Sequence, residues 1–560
     1  MKKLLVFFVI NMLCLASYSQ EHAWVYFKDK PSEANYFAAP LTMLSQRALN
    51  RRIIQNISLD SKDIPIEIAY YQELQTVSEI TILAKSKWLN AIHVLGEVAD
   101  INNLLTDFDF IERIDFANKT FNINVNIEKI DFSNDALNIN TNTKGLTKKT
   151  IQAQHKFKES ISDIDYGNAT NQIEMLKGDV LHNKGFTGQG MHIAVMDAGF
   201  PNVNTLNAFS RIRDNNQILG GYDFVDRSEN FYSGGSHGTN VLSDIAAYLE
   251  GEFVGTAPDA SFYLFRTEES ARETPLEESL WVEAAERADS LGVDIINTSL
   301  GYTTFDNSNY DYSYDDMDGT TTFITRGAEI GASKGMLLVN SAVNSGNNPW
   351  NYIGAPADAV SVFSIGAVNA NEGIASFSSF GPTIDGRVKP DVLAQGQSSY
   401  VVDHISGQIR TSSGTSFSSP IIAGVIACFW QAFPDKTNFE IMQIIRESAD
   451  RYSNPTSQHG YGIPDFELAY DTTLSVNEIE VNPIRIYPNP AVDILNIEIP
   501  KNDLIEFSVI VYNVLGEKIY EKKLLNTLQL DVSLLNSGVY FLKILNGKDE
   551  NNAKIIINRN

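Results

Sequence analysis

Apolar and polar positions along this chain change rhythm several times. Met1-Lys2-Lys3 leads into the apolar run Leu4 to Leu15 and the small-residue segment Ala16-Ser17-Tyr18-Ser19. That order predicts a signal peptide over residues 1–19, cleaved before Gln20. Residues 20–121 mix short patterns. Ala23-Trp24-Val25-Tyr26-Phe27 predicts a strand, Ser45 to Ile54 (with Arg47, Arg51 and Arg52) a basic helical turn or two, and Ile101 to Phe110 a helix. Together they predict a small α+β domain with no catalytic cluster, in which His93 is packed or at the surface. Residues 122–165 shift to Asn, Lys, Asp, Ser and Thr, the composition of a linker open to proteolytic processing.

Over residues 166–474 strand-like apolar runs alternate with helical ones: His192 to Met196, Asn240 to Tyr248, Ser261 to Phe265, Leu276 to Leu291, Asp294 to Leu300, Thr325 to Lys334, Met336 to Ser341 and Val360 to Val368. This alternation predicts a mostly parallel α/β sheet flanked by helices. From 475 to 560 the rhythm becomes short alternating strands joined by Asn, Gly and Asp turns, among them Leu495 to Ile499, Glu506 to Tyr512, Lys518 to Lys522 and Tyr540 to Leu545. That predicts a small antiparallel β-sandwich.

Composition narrows the function. Among 560 residues the net charge is −26, which argues against nucleic acid, whose phosphates require a basic face. Beyond the leader no stretch approaches 18 apolar residues, so no membrane span is expected. Of two cysteines, Cys14 leaves with the leader, and Cys428, inside the apolar run Ile421 to Phe433, reads as a small buried hydrophobe.

Candidate chemistry gathers in the α/β region. Ile193-Ala194-Val195-Met196 runs straight into Asp197, which places a carboxylate at the carboxyl end of a buried strand, the edge where open α/β sheets put their ligands. Ser236-His237-Gly238-Thr239 supplies a base that titrates near neutral pH. In Gly414-Thr415-Ser416-Phe417-Ser418-Ser419-Pro420, Ser416 precedes a run that reads as a helix buried on all sides. A serine there presents hydroxyl and backbone N–H to one point, at the helix end that favours a developing oxyanion. Asn344, just beyond the strand Met336 to Val339, supplies a second oxyanion donor. Alone, each motif is a common turn or loop. Asp, His and Ser together are the parts of a nucleophilic serine site.

At these residues the chain resembles the subtilisin-like serine peptidases. Asp197 matches the family's Asp-x-Gly strand end, His237 its His-Gly-Thr motif, Ser416 its Gly-Thr-Ser-x-x-x-Pro, and Asn344 its oxyanion asparagine. Ser376 to Pro382 and Lys389-Pro390-Asp391 match further family stretches. The resemblance implies a secreted serine endopeptidase that cleaves protein or peptide substrates, with Thr298, Ser299, Leu300, Gly301, Ala342 and Val343 bordering the substrate. Val343 departs from the family, which has glycine before the asparagine, and this implies that small residues are favoured on the acyl side of the cut. Residues 20–121 resemble a subtilase propeptide, which implies an inhibitor of its own enzyme. Tyr487-Pro488-Asn489-Pro490, Val514-Leu515-Gly516-Glu517, Ser537-Gly538-Val539-Tyr540 and the end around Lys554 resemble the type IX secretion sorting domain of Bacteroidota, which implies export through that machinery.

No cofactor is required by this chemistry. Asp306, Asp311, Asp315, Asp316 and Asp318 are suitable ligands for a structural calcium, but their spacing matches no calcium loop and the ion stays unassigned. Two rival readings are a surface adhesin on an inactive subtilase scaffold and an acid peptidase with Glu and Asp partners. The intact Asp197, His237, Asn344 and Ser416 count against the first, and His237 against the second.

Overall fold

The computed structural model describes residues 20–122, 164–474, 485–498, 506–514, 516–525, 528–546 and 549–559. The leader at 1–19, nearly all of the linker, and Leu515 lie outside the described residues.

The N-terminal module is a four-stranded antiparallel sheet built from β1 (Glu21–Phe27), β2 (Ile80–Ser86), β3 (Ala91–Gly96) and β4 (Ile111–Phe116), in the order β2-β3-β1-β4. Its two ten-residue helices are α1 (Gln46–Gln55) and α2 (Val98–Asp107). Side chains alternate across a strand, and β1 uses both faces. Ala23, Val25 and Phe27 join Ile92, Ile101 and Leu104 in the module's own core. Trp24 and Tyr26 enter a second core shared with the larger α/β unit.

That unit carries seven parallel strands: β5 (His192–Asp197), β6 (Ile218–Asp223), β7 (Ser261–Arg266), β8 (Ile295–Thr298), β9 (Leu337–Ser341), β10 (Val362–Val368) and β11 (Val392–Gln395), in the order β11-β10-β9-β8-β5-β7-β6. Four long helices cover it: α3 (His237–Ala246), α4 (Pro275–Leu291), α5 (Phe323–Ser333) and α6 (Thr415–Ala432). In β5, Ile193 and Val195 face a core with α3 and α6, while Ala194 and Met196 face one with α4 and α5. The alternation shows why this strand is apolar throughout. Helix boundaries follow local chemistry: α4 opens with a Thr274/Glu277 capping box and Pro275, and closes on Gly292 at φ +84°. α6 is long and apolar enough to cross a membrane, yet 89% of it is buried within the protein as its central helix.

From β5 the chain builds β6 and β7 on one side, then crosses to build β8 to β11 outward on the other. The order therefore reverses at the β5/β8 pair, and the crevice beyond their carboxyl ends is where this topology places ligands.

The N-terminal module docks on α4 and α5. Trp24 stacks on Phe323 (ring centroids 4.7 Å apart) and donates to Ser279 Oγ at 2.9 Å. Glu286 accepts from Ser86 Oγ at 2.6 Å and from the backbone N–H groups of Lys87 and Trp88, both at 3.0 Å. The basic segment is a full ten-residue helix, α1, whose arginines serve this contact. Arg47 donates to Gly292 O at 2.9 Å, Arg51 to Val293 O and Asp289, and Arg52 to Asp289 at 2.9 Å and Asp63 at 2.6 Å. Arg47 and Arg51 thus satisfy the carbonyls of Gly292 and Val293 just beyond α4, while Arg51 and Arg52 neutralise the buried Asp289 carboxylate.

The C-terminal unit has seven strands among its described residues: β12 (Arg485–Tyr487), β13 (Ile494–Glu498), β14 (Glu506–Asn513), β15 (Lys518–Leu525), β16 (Leu528–Asp531), β17 (Gly538–Asn546) and β18 (Asp549–Ile557). They form antiparallel sheets β12-β13-β16 and β15-β14-β17-β18, whose facing side chains, including Leu495, Leu530, Val509, Leu542 and Ile555, share one core. β18 opens with the polar run Asp549-Glu550-Asn551-Asn552 and was not among the strands named from the sequence.

Candidate active site

β5 ends in Asp197, which is 1% exposed. Its Oδ1 and Oδ2 lie 2.9 and 3.0 Å from His237 Nδ1, and Oδ1 also accepts from Ala198 N at 2.7 Å. An ionised carboxylate only accepts, so Nδ1 carries the proton and Nε2 is left with a free lone pair. His237 opens α3, and α3 stands hard against the end of β5. A Cβ on Gly238 would lie 2.5 Å from Gly199 O and 2.9 Å from Asp197 Cβ, so only glycine permits the approach that seats the ring beside the carboxylate. Burial disfavours the charged imidazole, but the Asp197 charge and hydrogen bond outweigh it, and the His237 pKa is raised.

Ser416 is the second residue of α6 and 7% exposed. Its Oγ donates to Ser299 O at 3.1 Å. The next residue, Phe417, sets its ring 5.9 Å from that of His237, so the serine and the histidine share one wall of the crevice. The Ser416 N–H lies in the first turn of α6, where amides have no intrahelical acceptor. Asn344 Oδ1 accepts from Thr415 N at 2.8 Å and Thr415 Oγ1 at 3.1 Å. That fixes the amide, with Nδ2 on the side of Gly414, where a built Cβ would stand 3.5 Å from it.

The substrate-side residues divide. Ser299 touches Ser416, and Gly301 meets Val343 across the crevice. Thr298 and Ala342 are turned inward, Thr298 Oγ1 accepting from Trp281 Nε1 at 3.0 Å and Ala342 being fully buried. The Leu300 carbonyl accepts from Asn340 Nδ2 at 3.0 Å, and its side chain packs on the α4/α5 core. Two positioning residues carried no sequence signal of that role. Ser379 donates its N–H to Val343 O at 3.1 Å and accepts from Ser345 N at 2.8 Å, clamping the loop that holds Asn344. Asn297 accepts from Ser419 Oγ at 3.0 Å and donates to Ser299 Oγ at 3.2 Å, tying β8 to α6.

Outside the crevice, the acidic segment caps its own turns. Asp311 accepts from Phe305 N at 2.7 Å, Asp316 from Ser313 N at 2.8 Å, and Asp318 from Thr320 N and Thr321 N, each at 2.8 Å. Among the described residues no group of three or more His, Cys, Asp or Glu is arranged to hold a metal ion. Cys428 is buried beside Thr256 O at 3.2 Å, and burial pushes its thiol pKa well up. His93 is packed at the docking face of the N-terminal module, 2.8 Å from Ser279 Oγ.

Residues 188–463 match the subtilase family, residues 22–135 the peptidase S8 propeptide domain of Bacteroidota, and residues 485–558 a secretion system C-terminal sorting domain. Subtilisin NAT of Bacillus subtilis subsp. natto is 30% identical over 327 residues, covering 57% of this chain and 74% of the relative. Subtilisin E of Bacillus subtilis (strain 168) has the same identity and coverage. Serine protease AprX of that strain is 28% identical over 304 residues, 49% of this chain and 64% of AprX, so the chain spans just under two thirds of that relative.

Proposed function

Because this chain belongs to the subtilase family, we propose that it is an exported serine endopeptidase working through an acyl-enzyme at Ser416. The observation that carries this reading is the paired hydrogen bond of Asp197 to His237 Nδ1, beside a serine at the amino end of a buried helix. In this reading Ser416 Oγ leaves the Ser299 carbonyl for His237 Nε2 when substrate arrives, since catalytic hydrogen bonds often form only then. As Oγ attacks the peptide carbonyl carbon, Nε2 takes its proton, and Asp197 stabilises the imidazolium. The carbonyl oxygen becomes an oxyanion held by Asn344 Nδ2 and the Ser416 N–H. Collapse breaks the C–N bond, and His237 returns the proton to the leaving amine. Water then attacks the acyl-enzyme through the same base and releases the acid.

The sorting-domain match at 485–558 supports delivery to the cell surface or beyond by type IX secretion machinery. The propeptide match supports a zymogen whose N-terminal module is cut free and until then inhibits its own enzyme. The chain's substrates are proteins or peptides. An inactive adhesin gains nothing from a glycine at 238, whose effect is to seat the base on its carboxylate.

Hydrolysis of a denatured protein by secreted wild type, Ser416→Ala and Asn344→Ala tests the reading. The first variant loses activity on the order of 10⁶-fold. The second loses about 10² to 10³-fold in kcat. Undiminished hydrolysis by Ser416→Ala would overturn it.

A further inference from the structure

Val343 stands immediately before the oxyanion asparagine with φ +65°. A β-branched residue in that left-handed region is strained, whereas glycine adopts it freely. The Ser379 clamp keeps the backbone in place. The isopropyl group therefore does not serve the backbone, and its surroundings indicate what it does serve. A Cβ built on Gly301 would lie 2.4 Å from Val343 Cγ1, and one built on Gly354 3.5 Å from Val343 Cγ2. Two residues without side chains thus flank a slot that Val343 enters. Behind it, Tyr302 and Ala355 exchange backbone hydrogen bonds of 2.8 and 3.1 Å, closing the far end.

A carbonyl attacked by Ser416 and polarised by Asn344 lies between the segments 299–301 and 342–344. The side chain of the residue that owns that carbonyl then points into the slot between Gly301 and Gly354. We propose that Val343 truncates this slot, so that the enzyme cuts after residues no larger than alanine or serine and rejects aromatic and long aliphatic ones. The proposal rests on Ser416 being the nucleophile and adds the substrate class.

The test compares kcat/KM of secreted wild type, Val343→Gly and Val343→Ala on one peptide series with Ala, Leu or Phe on the acyl side. Active sites are counted in each enzyme with a fluorophosphonate. One misplaced methylene in an apolar pocket already discriminates about 10 to 200-fold, so wild type prefers Ala to Phe by on the order of 10²-fold or more. Val343→Gly lowers that ratio at least about tenfold by gaining on Phe, with Val343→Ala between. Equal cleavage after Ala and Phe by a labelled wild type would overturn the proposal and leave the nucleophile standing, as would an unchanged ratio in both variants. Neither labelling nor cleavage in wild type would remove the nucleophile and the proposal with it.

Discussion

Ser299 and Ser416 exchange hydrogen bonds: the Ser299 hydroxyl donates to the Ser416 carbonyl at 3.0 Å, and the Ser416 hydroxyl donates to the Ser299 carbonyl at 3.1 Å. The first bond has a cause in α6. Pro420, four residues on, has no N–H, so the Ser416 carbonyl loses its usual intrahelical donor. Ser299 supplies the replacement and anchors the turn that carries Ser416. Ser299→Ala leaves that buried carbonyl unsatisfied, at about 1–3 kcal/mol. Pro420→Ala returns a backbone donor, so the double variant is more stable than the sum of the single ones predicts. Thermal unfolding of the four proteins in a Ser416→Ala background measures this coupling, and strict additivity would show that the two residues act separately.

Against the burial that lowers it, Asp197 raises the His237 pKa above 6.5, and the proposed mechanism needs that imidazole neutral. The acid limb of kcat/KM therefore lies above pH 6.5, and activity rises as pH climbs through the raised value. Asp197→Asn removes the charge, which moves that limb to lower pH while kcat falls about 10⁴-fold. The stability sign is the reverse: the ion pair contributes fully below the unfolded pKa and is lost as pH rises through the folded one. Matched pH–rate profiles of the two enzymes check both shifts.

At the docking face of the N-terminal module, Asp289 is fully buried between Arg51 and Arg52. Asp289→Asn leaves the buried Arg51 guanidinium without its carboxylate and Arg52 with Asp63 alone, and costs the precursor roughly 3–5 kcal/mol. Asp226, 65% exposed beside Arg266, is the contrast, because exposed pairs contribute about 0–1 kcal/mol. Denaturant unfolding of full-length Ser416→Ala precursors carrying each change separates the two cases.

His22 Nδ1 lies 2.9 Å from His93 Nε2, and His93 Nδ1 lies 2.8 Å from Ser279 Oγ. Burial lowers the His22 pKa to about 4, and burial together with the neighbouring His22 charge lowers that of His93 well below 6.5. Groups lowered in the folded state contribute stability above their unfolded pKa and lose it as pH falls toward the folded one. The precursor therefore loses stability between pH 6.5 and about 4. Glu21, Asp115, Arg113, Tyr310 and Arg326 lie on or against the same face, and Glu286, raised to about 7 by burial, works in the opposite sense. His93→Gln flattens the loss, read as unfolding temperature against pH.

Much of the site was legible because its chemistry sits at element ends. Asp197 closes an apolar run and Ser416 opens another, so the pattern alone placed one at the carboxyl end of a strand and the other at the amino end of a buried helix. Thr298 was harder to place, since a buried strand is apolar on both faces and its pattern does not say which side chain meets the cleft. The Ser379 clamp and the arginines of α1 depend on partners far along the chain, such as Asp289 for Arg51, and no local pattern announces them. The strand β18 was missed because Asp549 to Asn552 is polar and turn-like by composition.

The most direct measurement is the intact mass of the secreted protein with and without a fluorophosphonate probe. The account predicts a single adduct on the peptide containing Ser416, absent from His237→Ala. A fully processed protein that takes no adduct, or takes it at another serine, would contradict it.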